Sequence, residues 1–199
     1  MSSLAVRQFC SKALNMASQL PAPARPSNWL ADSSREHQLQ CAYLIIDLLD
    51  LWGKFCRTIV LDLATGRAKD LSGNQIINPS PMSESAALSA ICNRRGHEPK
   101  WYNARECIQA LSILRPPFSA NITAAIGVST SPIPDLLLAR NYFAHRRTDC
   151  RDKLLSAGFY DADMNLCPYK IANFLLPNSK SIFLTWVDDL QIMALSCVR

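Results

Sequence analysis

The residues in this sequence whose types and spacing suit chemistry are Arg140, Asn141 and His145, within the run Arg140-Asn141-Tyr142-Phe143-Ala144-His145. Taking about 100° per residue on an α-helix with Arg140 as origin, Ala144 falls at about 40°, Asn141 at about 100° and His145 at about 140°. One arc thus carries a fixed cation, an amide, an imidazole and a small residue that allows close approach. Tyr142 and Phe143, at about 200° and about 300°, point elsewhere and are expected to anchor the helix in the core. Histidine moves protons near neutral pH, which makes His145 the candidate general base or acid. Arg140 offers permanent charge and a planar donor fork where negative charge builds on phosphoryl oxygens. Asn141, four residues before His145, can orient the imidazole or hold a phosphate oxygen. Transesterification at a phosphodiester is the chemistry this set suits, and it requires no metal ion. The same residues also read as a structural helix end, with the arginine paired to a carboxylate, the asparagine capping and the histidine bonding the last carbonyls.

This run resembles the HEPN family, whose hallmark is an arginine, four to six residues and a histidine, often with a polar residue directly after the arginine. Here the spacing is four and Asn141 fills the polar position. A bare Arg-to-His match of this kind arises by chance about 0.6 times in such a chain, so the weight falls on the full string. The resemblance is specific over residues 131 to 150 and loose over 34 to 196. It implies an all-α helical bundle that forms a homodimer through the motif helices, so that two motifs build one cleft. It further implies a metal-independent endoribonuclease without cofactor, cutting RNA by 2′-OH attack to leave a 2′,3′-cyclic phosphate and a 5′-OH. The setting it implies is a toxin or effector in stress or phage defence, held by an antitoxin, a nucleotidyltransferase or another defence-complex partner. Two other readings compete with it: a catalytically silent dimerisation or nucleotide-binding module in a larger defence complex, and a structural protein whose apolar helical faces dock on a partner.

Other cations extend the candidate surface. The formal charge is +5, with fourteen arginines against seven lysines, a balance that leans toward a polyanionic ligand because arginine binds phosphate bidentately. Arg146, Arg147 and Arg151 directly follow the motif and are expected to track an RNA backbone. Arg94, Arg95 and Lys100, with Arg105, form a second basic stretch that reads either as a solvated loop or as part of an RNA groove. Trp29, Trp52, Trp101 and Trp186 read as core anchors; Trp101 and Tyr102, beside Lys100, could alternatively stack bases.

The elements that must hold these residues are helical almost throughout. Helices are expected over 4–20, 34–63, 83–93, 102–114 and 181–198, from apolar residues at helical spacing. Pro21, Pro23 and Pro26 end the first and open a linker to residue 33. Residues 1–33 therefore read as an N-terminal helix and Pro-rich linker, and 34–199 as the HEPN-like domain, the whole forming one compact unit. The chain is longer than a minimal HEPN bundle, so the first helix and a loop over 64–81 count as additions. A small hairpin through 59–63 and 67–71 is the minority alternative at that loop. The motif helix is expected to begin with Ser131 as cap and Pro132 at its first position, with Asp135 at the positive end of the dipole and a break near Thr148 before a short helix to Gly158.

Composition excludes several classes. A chain of 199 residues with 49% hydrophobic and 19% charged residues is too apolar for a disordered tail and too short for two enzyme-sized domains. The apolar stretch 42–52 is broken by Asp47 and Asp50, short of the roughly 20 residues a spanning helix needs. With no continuous apolar run at the N-terminus either, the expectation is a soluble, cytoplasmic protein without membrane contact. Eight dispersed cysteines without a CxxC read as free, mostly buried thiols, and no Cys/His metal motif, phosphate loop, GxGxxG, GxSxG or HExxH occurs.

Overall fold

The computed structural model describes residues 4–21, 34–70, 72–92, 96–128, 132–159, 166–174 and 180–197. Apolar residues at helical spacing become helices along the whole of it: α1 (Leu4–Ser18), α2 (Arg35–Ala64), α3 (Glu84–Ile91), α4 (Ala104–Leu114), α5 (Ser119–Ile126), α6 (Ile133–His145), α7 (Thr148–Ser156), α8 (Pro168–Ala172) and α9 (Ile182–Ser196). The described residues contain no strand, only isolated bridge positions such as the antiparallel pair Lys69 and Gln75. The fold class is all-α, of the helical-bundle kind.

Two compact units divide the chain. The first comprises Met1–Lys12, Asp50–Ser131 and Leu190–Arg199, and the second Ala13–Leu49 and Pro132–Asp189. In the first, Phe9 packs on Trp52 at 5.6 Å and Phe55 at 5.0 Å, with Ile59, Leu111, Ile122 and Ile126 also buried. Its α2 ends in a Schellman motif: Gly66 takes φ 71°, and the Arg67 N–H reaches back to the Asp62 carbonyl at 2.8 Å. Asn78 Nδ2 then donates to the Leu63 and Ala64 carbonyls, both at 2.9 Å. Residues 59–63 are therefore helical, which removes the hairpin alternative. Arg57 holds Glu98 through two hydrogen bonds and pulls its carboxyl below the usual range. Trp101 is buried and its indole N–H donates to Glu98 at 2.9 Å, so it anchors this unit and presents no face to a base.

In the second unit, Leu48, Leu136, Ala139, Leu154, Tyr169 and Phe183 form a core without solvent exposure of more than 1%. The motif helix α6 starts one residue later than its sequence suggests: Pro132 precedes it, and Pro134 lies in its first turn. Ser131, Trp29 and most of the linker lie outside the described residues. Two helices were not legible. α5 begins behind a left-handed Phe118 with no side-chain cap, and α8 spans five residues, too few to show a period.

All eight cysteines are free, and Cys41, Cys56, Cys107, Cys150 and Cys197 are buried. Burial pushes the Cys41 and Cys197 thiols up to about 12 and also raises Cys56. Among the described residues, no helix is long and apolar enough to cross a membrane.

Candidate active site

The last two turns of α6 bring Arg140, Asn141 and His145 together. Leu136, Ala139 and Phe143 are buried at helical spacing and fix that face of the helix, which leaves Arg140 and Asn141 half-buried and His145 exposed. One guanidinium nitrogen, Arg140 Nη1, donates to Asn141 Oδ1 at 3.2 Å and meets His145 Nε2 at 2.9 Å. Because a guanidinium only donates, Nε2 must carry the lone pair in this contact, which places the ring proton on Nδ1. The imidazole nitrogen beside the cation is thus the one able to accept a proton.

The structural reading of these residues requires a carboxylate for Arg140, and among the described residues Arg140 has none. Asn141 lies within the helix and does not cap it. Arg140 Nε is buried without a hydrogen-bond partner, an orphan donor of a kind that ordinarily costs about 1–3 kcal/mol. Among the described residues the Arg140 charge is therefore balanced by no acid, and its Nη1 is taken up by Asn141 and His145.

The helix stops where the motif stops. Arg146 takes the left-handed conformation at φ 51°, and its N–H closes the turn on the Tyr142 carbonyl. Its guanidinium lies 5.7 Å from the centre of the Tyr142 ring. Tyr142 is half-buried and in contact with Phe143 at 5.3 Å, so only Phe143 is the core anchor expected of both. This Tyr142/Arg146 pair escaped sequence reasoning, although its i, i+4 spacing is the available signal.

The remaining cations divide. Arg147 is held by Asp149 through two hydrogen bonds, at 3.0 and 2.8 Å, and Arg151 lies 3.6 Å from Asp152. Both are exposed, yet each is already partnered by an acid one or two residues further along the chain. Lys100 is exposed in the first unit, its backbone N–H bonded to Glu106, whereas the motif belongs to the second unit. Arg94 and Arg95 lie outside the described residues. At the start of α6, burial raises the Asp135 carboxyl above its ordinary range. Among the described residues no three His, Cys, Asp or Glu side chains gather as metal ligands would. No known protein family, curated protein or solved structure matches this chain.

Proposed function

We propose that this chain is a HEPN-type endoribonuclease that cleaves RNA without a metal ion, acting as a homodimer through its motif helices. The observation that carries the reading is the contact of one Arg140 nitrogen with both His145 Nε2 and Asn141 Oδ1 on an open helix end. When RNA enters, the arginine N–H groups turn to the non-bridging oxygens of the scissile phosphate, and Nε2 is released to take the 2′-OH proton. The 2′-oxygen bonds phosphorus, the bond to the 5′-oxygen breaks, and a protonated imidazole returns a proton to that oxygen. A second copy supplies the second imidazole, so base and acid act on opposite sides of one phosphate. Asn141 holds the guanidinium in place between substrates. Growth arrest in stress or phage defence, in the cytoplasm and under an antitoxin or nucleotidyltransferase, is the setting that suits such an activity.

The test uses purified chain, single-stranded RNA and excess chelator. Cleavage to 2′,3′-cyclic phosphate and 5′-OH ends, lost in His145→Ala and Arg140→Ala at equal folding, is the expected result. RNA left intact by the unmodified chain would overturn it and leave the silent nucleotide-binding or dimerisation module.

A further inference from the structure

We infer that Arg146, laid over Tyr142, is a subsite for one unpaired nucleobase beside the scissile phosphate, so that the substrate is single-stranded RNA with a splayed base. The inference rests on the ribonuclease reading and goes beyond it, since a backbone-tracking arginine would ignore base stacking altogether.

Three observations carry it. The Arg146 guanidinium lies 5.7 Å from the Tyr142 ring centre, and that ring is in turn supported by the buried Phe143. The cation thus sits over an aromatic ring, and Arg146 itself is exposed, so its guanidinium is open to a base. Arg146 also differs from the cations next to it. Arg147 and Arg151 lie against Asp149 and Asp152, whereas Arg146 has no carboxylate among the described residues. Finally, the pair adjoins the reactive group, because Tyr142 follows His145 by about 60° around α6 and Arg146 follows it directly in the chain. Bases unstacked from single strands bind on aromatic rings and on arginine planes, whereas a duplex keeps its bases inside.

The conformation of Arg146 supplies a clean variant. Glycine adopts φ 51° without strain, so Arg146→Gly removes the side chain from a position where glycine is the better backbone residue. Arg146→Lys keeps the charge and loses the plane. Both are placed in the His145→Ala background, and binding of a labelled single-stranded RNA 12-mer and of the same sequence as a duplex is measured by anisotropy. The expected result is single-strand affinity weakened about 10-fold by either change, with duplex affinity changed less than about 3-fold by Arg146→Lys. Tyr142→Ala should act in the same direction. Equal weakening on both RNAs by Arg146→Gly, with Arg146→Lys restoring both, would overturn the subsite and make Arg146 a phosphate contact. Unchanged single-strand binding in all three variants would also overturn it. If the unmodified chain cleaves RNA while these variants bind normally, the subsite alone fails; if no RNA is cleaved, the ribonuclease reading fails first.

Discussion

Replacing Arg140 with methionine should leave the fold as stable as before while removing activity. The side chain donates from Nη1 to half-buried Asn141 and to exposed His145, and its Nε is buried with no partner. Methionine keeps the length of the stem and its packing but buries no donor. Losing the two hydrogen bonds costs about 0.5–1.5 kcal/mol each at most, and less at the exposed histidine; removing the orphan Nε returns about 1–3 kcal/mol. These terms cancel to within about 1 kcal/mol. For a chain of this size that corresponds to a change in Tm of about 2–4 °C or less. Loss of a donor aimed at charge developing in a transition state lowers turnover by about 10²–10³-fold. Scanning calorimetry and RNA cleavage on Arg140→Met and the unmodified chain test both halves. A Tm lower by more than about 6 °C would show that Arg140 is structural, against the balance worked above. Cleavage at the original rate would remove the arginine from the chemistry.

Three further outcomes follow from burial and charge. The native thiols of Cys41, Cys56 and Cys197 should resist alkylation at pH 8, because their raised pKa leaves almost no thiolate, and should label at once in denaturant; peptide mass mapping that finds Cys41 modified in the native chain would contradict this. Asp135→Asn should stabilise the chain at pH 7, where the half-buried carboxylate is charged against its preference, and the gain should vanish as pH falls below about 4 and the native acid is protonated; a constant gain across an acid titration would point to another cause. Glu98→Gln should show the opposite sign. Its carboxyl is lowered chiefly by the Arg57 hydrogen bonds, so the stabilisation of up to about 1 kcal/mol exists above its unfolded pKa and is lost as pH falls through the native one, where variant and parent should converge in denaturant midpoint.

The long helices were legible because they bury one face at a regular period: Leu44, Leu48 and Phe55 in α2, or Phe183, Trp186 and Leu190 in α9, are spaced as the core needs them. The break between α6 and α7 was legible too, within three residues. α5 was missed although Ile122, Ala125 and Ile126 show i, i+3, i+4 spacing, because Pro116 and Pro117 precede it and the turn into it uses a left-handed phenylalanine that no composition rule anticipates. At the site, sequence placed Arg140, Asn141 and His145 on one arc, and they do meet. It could not show that Arg147 and Arg151 sit against acids. The acids, Asp149 and Asp152, are two residues and one residue away, a spacing that a helix wheel does not make adjacent and that only the cap geometry before α7 allows for Arg147.

Backbone strain by itself does not mark a site in this chain. Arg115 at φ 45°, Phe118 at φ 61° and Arg146 at φ 51° all hold left-handed conformations, each at a cost of about 1–2 kcal/mol that glycine would avoid. Arg115 closes α4 and Phe118 opens α5, at turns forced by the two prolines between them. No proline forces the turn at Arg146, and the chain continues directly into α7. A glycine there would end α6 just as well, and would leave Tyr142 without the cation over its ring. The feature separating Arg146 from Arg115 and Phe118 is therefore the contact its side chain makes with the Tyr142 ring.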